Sequence, residues 1–105
     1  MLHAIQHADL LPANEVALKN NLFTLRTVID NYTRDKLKAP QSLQELVSAG
    51  YLREIPYDPM TRSNQTWKTV IEDASQSLNP DKPGIFDVLS GSRKIGSDGS
   101  PYSEW

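Results

Sequence analysis

The clearest pattern of apolar and polar positions lies in EVALKNNLFTLRTVIDNY, residues 15–32. Five apolar residues recur there at intervals of four and three: Leu18, Leu22, Leu25, Ile29 and Tyr32. Since an α-helix has about 3.6 residues per turn, this spacing predicts a helix that lays one face on a core. We expect Asn14 to cap the helix and Glu15 to interact favourably with its N-terminal dipole. Phe23 lies beside the stripe, and Arg26 belongs to the polar face predicted to contact water.

A second, shorter helix is predicted in QSLQELVSAG, because Pro40 disfavours helical geometry at the residue before it. Ser42 and Glu45 have the spacing of a capping box, and Gly50 is suited to a left-handed C-cap. Its short apolar face consists of Leu43, Leu46 and Val47. The loop that follows contains two prolines and is expected to pack three residues inward: Tyr51, Leu52 and Ile55.

Strand patterns appear only after residue 65, in TWKTVIE and IFDVLSG. In the second stretch Phe86 and Val88 alternate with Ile85, Asp87 and Leu89, as in a strand with two different faces. The polar connection 74–84 is predicted to lie on the surface, and a short third strand is possible near residues 93–95. The expected class is α+β: a long N-terminal helix, a short second helix, and an antiparallel sheet of 2–4 strands packed on the long helix. Residues 1–13 are interpreted as a linker or a segment added by cloning, and residues 14–105 as one domain.

Composition and motifs disfavour several classes of function. The chain has 105 residues, a net charge of −2 and no cysteine. It therefore lacks the basic face that nucleic acids require, and it has no disulfide or thiolate site. A helix-turn-helix is disfavoured because the short helix carries Glu45 and no basic residue. No nucleophile motif is present, and we expect no enzymatic activity. His3 and His7 are four residues apart but make an incomplete metal site. Carboxylate-pair chemistry stays open for five acidic residues: Asp58, Asp73, Asp87, Asp98 and Glu104.

The last residues, KIGSDGSPYSEW, hold the most suggestive chemistry. They suit a metal-binding loop, a docked tail that closes the core, or an exposed aromatic patch. Hard cations such as calcium take carboxylate and carbonyl oxygens, and the candidate carboxylates are Asp98, Glu104 and Asp87. An Asp-Gly pair flanked by serines is also typical of a tight turn. In the docked-tail interpretation the structural residues are Gly96 and Gly99, which form the bends, and Tyr102 and Trp105, which hold the loop on the sheet.

The order of these segments resembles the soluble domain of type IV pilin-like proteins, most closely the major pseudopilins of type II secretion systems. The resemblance covers about residues 15–105. It is carried by the helix LKNNLFTLRTVIDNY, by the turn PQSLQEL into GYLREIPYDP, and by the closing SDGSPYSEW. It implies a structural subunit without catalytic activity, and it makes the predicted long helix the C-terminal half of the family's spine helix.

The resemblance also implies partners and a location. Family members are bacterial cell-envelope proteins, periplasmic or at the cell surface. They are cleaved by a prepilin peptidase and methylated, and the cleavage site lies just before a hydrophobic helix. This helix anchors the subunit in the inner membrane before the subunit enters a fibre. Here either residues 1–14 stand in the place of that anchor, which is the interpretation we favour, or the protein is a divergent relative that does not polymerise by that route. The implied partners are other pilin-like subunits and the assembly machinery. Major pseudopilins typically bind calcium near the C-terminus, whereas this loop lacks their run of acidic residues. The alternative function is a stand-alone module that binds calcium or a small ligand at this loop.

Overall fold

The computed structural model describes residues 12–105. Its elements are helix α1 (Ala13–Lys36), helix α2 (Leu43–Ser48), strand β1 (Lys68–Ile71) and strand β2 (Ile85–Leu89), with single 3-10 turns at Ala74–Gln76 and Tyr102–Glu104. The strands form a two-stranded antiparallel sheet. The predicted α+β class is confirmed, with a sheet at the lower end of the predicted size.

Helix α1 forms one side of the hydrophobic core. The five residues of the predicted stripe are all buried, and Ile85 and Val88 of β2 are buried in the same cluster. The helix begins one residue earlier than the predicted cap, since the carbonyl of Pro12 accepts hydrogen bonds from the amides of Glu15 and Val16. The prediction that Asn14 caps α1 is therefore wrong. Within residues 12–105 no helix is both long and apolar enough to cross a membrane.

Helix α2 has the predicted ends. The amide of Glu45 donates to the Ser42 hydroxyl at 3.1 Å, and Gly50 has a φ of +86°, the left-handed geometry that glycine adopts without strain. Leu43 and Leu46 are buried in the core. The Glu45 carboxylate also accepts from the buried Tyr32 hydroxyl at 3.0 Å, which joins α2 to the end of α1.

The side chains of strand β2 do not alternate regularly between the two faces of the sheet. Val70 pairs with Asp87 and Ile71 pairs with Ile85, so Phe86 is an extra residue in a β-bulge. Ile85 and Val88 are consequently both buried, while Phe86 is 51% exposed. The predicted alternation, with Phe86 and Val88 on one face, is wrong for this reason. Near residues 93–95 only an isolated bridge forms, between Ile95 and Pro101.

Two close approaches fix β2 to the rest of the domain. The amide of Ile85 donates to the carbonyl of Pro40 at 2.8 Å, and a Cβ at Gly84 would lie 2.6 Å from that same carbonyl oxygen. At the other end of β2, the buried Asp58 carboxylate accepts from the Ser90 hydroxyl at 2.7 Å and from the Gly91 amide at 3.0 Å. Asp58 thereby ties the loop 56–65 to the sheet.

Candidate functional site

The candidate site is the tail, residues 96–105, together with the part of α1 against which it packs. The tail turns at Gly99, whose φ of +87° is left-handed. The Asp98 carboxylate accepts from the amide of Ser100 at 2.9 Å and from its hydroxyl at 2.6 Å. The hydrogen bond from the Ser100 hydroxyl has the largest effect on the pKa of Asp98, and that from the amide has the next largest. Both lower this pKa, so the carboxylate is ionised at neutral pH. Asp98 thus helps to organise the turn through both polar groups of Ser100.

Two aromatic rings of the tail pack edge to face. The ring centroids of Tyr102 and Trp105 are 5.0 Å apart, and both rings approach Gly96 so closely that a Cβ there would contact them. The indole nitrogen of Trp105 donates to the Ser100 hydroxyl at 2.8 Å. Lys19 of α1 places its Nζ 5.0 Å from the Trp105 ring centroid, a cation–π geometry. The tail is therefore docked onto α1 and onto itself.

Glu15 holds the tail to the first turn of α1. Its side chain is 2% exposed and accepts from the Ser97 amide at 2.9 Å, from the Ser97 hydroxyl, and from the Tyr102 hydroxyl. The Ser97 hydroxyl bond, followed by that of Tyr102, lowers the pKa of Glu15. The same contact raises the pKa of Tyr102, because the hydrogen bond needs the neutral phenol and ionisation would put a second negative charge beside Glu15.

Arg26 forms a second link between α1 and the end of the chain. Its Nε lies 2.7 Å from the Asp87 carboxylate, and its other nitrogens donate to the carbonyl of Val88 at 2.9 Å and to the main-chain oxygen of Trp105 at 3.1 Å. The prediction that Arg26 faces only water is wrong. One guanidinium has five donors in a fixed plane, which lets it join α1, β2 and the tail at once.

A groove of about 390 Å³ opens between α1 and the tail. Its lining combines aromatic and charged side chains: Lys19, Leu22, Phe23, Arg26, Asp98, Ser100, Glu104 and Trp105. Of the three carboxylates considered for calcium, Asp98 and Glu104 border this groove, whereas Asp87 is paired with Arg26. In the described part of the chain, no three acidic or histidine side chains are grouped so that they could hold a metal ion. His3 and His7 lie outside the described residues.

Sequence reasoning missed the role of Glu15. A signal was present, because Glu15 precedes Leu18 by three residues and so continues the spacing of the buried stripe. A carboxylate on a core face needs donors, and the serines and tyrosine of the tail provide them. Nothing in the sequence pairs Glu15 with Ser97, which follows it by 82 positions.

The geometry defines a small α+β domain whose tail is bound to the start of its long helix by a buried carboxylate and to its middle by an arginine. Comparison with protein-family models, with curated proteins and with solved structures gives no match.

Proposed function

We propose that this domain is the globular head of a pilin-like subunit of a type II secretion pseudopilus or a type IV pilus-like fibre. It acts through self-assembly and protein contacts rather than catalysis. The sequence resemblance over residues 15–105 supports this proposal, as does a long helix with one face covered by a small sheet. In the full-length protein, an upstream hydrophobic helix would anchor the subunit in the inner membrane of the cell envelope before assembly.

The observation that carries the proposal furthest is the attachment of the first turn of α1 to the tail. Glu15 lies three positions after the Pro12 that precedes the helix, and it is fixed by Ser97 and Tyr102. The first turn of α1 is therefore held in one orientation relative to the tail. A fibre subunit needs this property, because its head must keep one orientation relative to the helix that packs in the fibre.

Three surfaces are the candidate contacts with neighbouring subunits and with the assembly machinery. They are the loop 56–65, the connection 74–84 and the tail 96–105. The first two are connections and the third is a terminal segment, and each reaches the surface of the domain, where irregular segments commonly carry recognition. No partner other than protein is proposed, apart from the membrane reached through the upstream helix.

The coding sequence immediately upstream of residue 1 tests this function. We expect a cleavable leader followed by about 20 apolar residues, the length that spans a bilayer. A natural start codon at this position with no such segment would refute the fibre function.

The groove beside the tail favours one second candidate, a stand-alone binding module for calcium or a small ligand. Its Trp105 and Phe23 rings offer apolar surface, and Asp98 and Glu104 offer carboxylate oxygens. Amide chemical shifts of isotope-labelled protein, titrated with calcium and then with a fragment library, test this candidate. Saturable shifts confined to α1 and residues 96–105 would support it, and an unchanged spectrum would reject it.

A further inference from the structure

Strand β1 has an outer edge with which no other described segment pairs. On β2, the amide of Ile85 and the carbonyl of Val88 form hydrogen bonds on the side away from β1. Their partners in the register are Ile71 and Thr69, and in an antiparallel pair such residues turn their own amides and carbonyls outward. Within residues 12–105, no main-chain group is bonded to Thr69 or Ile71 on that side. The outer edge of β1 therefore presents two amides and two carbonyls without partners.

Strand β1 also extends beyond the cover that α1 gives to the sheet. Helix α1 packs against β2, whereas β1 contacts only β2 among the described helices and strands. Ile71 lies beside the buried Ile85, on the side of the sheet that faces the core, and is nevertheless 53% exposed. Unpaired main-chain groups next to an exposed apolar side chain are the features to which another extended strand can add.

The two ends of this strand carry opposite charges. Lys68 begins β1 and Glu72 follows its last residue, so the two side chains, four positions apart, lie on one face of the sheet. Lys68 is exposed, and no ion pair among the described residues includes it. The Oε1 atom of Glu72 accepts from the Ser77 hydroxyl at 2.9 Å and from the Gly84 amide at 3.0 Å, which fixes the carboxylate beside the strand.

We propose that the β1 strands of two copies pair antiparallel about a two-fold axis at Val70, which makes one four-stranded sheet across the dimer. In this register Thr69 of each copy lies opposite Ile71 of the other, so the outward amides and carbonyls of both residues are all paired. Lys68 of each copy then lies opposite Glu72 of the other. One register thus satisfies both the hydrogen bonds and the charges.

The sequence of the strand is the reason why the occupant is a second copy. The stretch KTVIE, residues 68–72, is complementary in charge to its own reverse. Parallel pairing in register would set Lys68 beside Lys68, and an axis at Thr69 or Ile71 would set Val70 opposite a charged residue. A lysine on an edge strand commonly discourages pairing, but in the proposed register it meets a carboxylate. The contact is isologous, so it closes a pair and neither requires nor extends the proposed fibre.

The absence of cysteine from the chain allows a direct test by disulfide cross-linking. Val70→Cys places a thiol at the axis, in a pair without hydrogen bonds whose Cα atoms are about 4.5 Å apart, a separation that a disulfide spans. Thr69→Cys is the matched control, because its two copies would be two positions apart in the register, beyond the limit of about 7 Å. Thr69 is the more exposed residue, so random collision would favour the control. On mild oxidation we expect Val70→Cys to dimerise about tenfold faster than Thr69→Cys.

A charge exchange tests the register. Adding Lys68→Glu to Val70→Cys makes both end pairs repulsive and should slow dimer formation by about fivefold, whereas Lys36→Glu, on α1, should not. Mixing this variant with a Val70→Cys chain that carries Glu72→Lys should restore cross-linking as a mixed dimer, because each end again joins opposite charges. If Glu72→Lys lowers the thermal midpoint, since Glu72 accepts from the Gly84 amide, the result for Lys68→Glu alone decides.

Equal cross-linking of Val70→Cys and Thr69→Cys, or a rate that Lys68→Glu leaves unchanged, would overturn the pairing of the two β1 strands. The coding sequence upstream of residue 1 tests the fibre function separately, so each proposal can fail while the other stands.

Discussion

The carboxylate of Glu15 accepts a hydrogen bond from the hydroxyl of Tyr102, a residue 87 positions further along the chain. This single contact joins the first turn of the long helix to the last turn of the domain. It is buried, and it is reinforced by both donors of Ser97. The start of the helix and the tail should consequently form or open together.

Replacing Glu15 by glutamine should destabilise the domain. The Gln amide would direct hydrogens at donors that now point to a carboxylate oxygen, leaving buried groups unsatisfied. We expect the thermal midpoint of Glu15→Gln to fall by several degrees, and that of Tyr102→Phe to fall by less, because it removes only one hydrogen bond. Glu104→Gln changes an exposed carboxylate and is the matched control. Equal midpoints for Glu15→Gln and Glu104→Gln would contradict the role assigned to Glu15.

The same carboxylate should make stability depend on pH. The folded-state pKa of Glu15 is lowered below its ordinary value of 4.5, so its contribution is complete above pH 4.5 and is lost as pH falls through the folded-state value. Asp73 and Asp98 also have lowered pKa values and add to the slope. Urea unfolding from about pH 7 to pH 3 should therefore show a steeper acid loss in the natural protein than in Glu15→Gln. If the free energy of unfolding changed with pH in the same way in both proteins, Glu15 would not be the source of the acid sensitivity.

Asp58 should matter for a different reason, since its side chain is buried and accepts from Ser90, Gly91 and the amide of Met60. Asp58→Asn replaces one accepting oxygen with a donating nitrogen. We expect a loss of about 1–3 kcal/mol in the free energy of unfolding, the usual cost of such an orphaned buried donor. Chemical denaturation measures it, with the exposed Asp81→Asn as control. A loss no larger than that of the control would show that the loop 56–65 does not need this anchor.

Gly84 tests the docking of β2 onto the connection between the helices. A Cβ there would lie 2.6 Å from the carbonyl oxygen of Pro40 and 2.7 Å from that of Ala39, and both are main-chain atoms that cannot rotate away. Gly84→Ala should cost about 1–3 kcal/mol, the range for overpacking a tight interior. Chemical denaturation of Gly84→Ala and of the control Ser48→Ala, at an exposed position, measures the difference in the free energy of unfolding. A neutral Gly84→Ala would mean that the strand can shift away from Pro40 without losing stability.

Calcium should leave the stability unchanged. Asp87 is neutralised by Arg26, and Asp98 already accepts two hydrogen bonds within its own turn. Thermal melts in calcium and in EDTA measure this, because a ligand at a hundred times its dissociation constant would add about 2.7 kcal/mol. A higher midpoint in calcium, lost in Asp98→Asn, would instead support the calcium-binding alternative.

Much of the fold follows from local patterns. The stripe from Leu18 to Tyr32 predicts α1 because helical periodicity is a property of neighbouring residues, and Ser42 with Gly50 predicts both ends of α2 for the same reason. The strand alternation around Phe86 failed since a bulge depends on the partner strand, which the sequence of β2 does not contain.

The sequence by itself determined the class of the domain, its two helices and the polar turn at Asp98. All of these depend on interactions between residues a few positions apart. Only the tertiary structure decided that Glu15 meets Ser97 and Tyr102, that Arg26 joins the sheet to the tail, and that Phe86 points outward. Those contacts connect distant positions, and their partners are fixed by how the core packs rather than by any local preference.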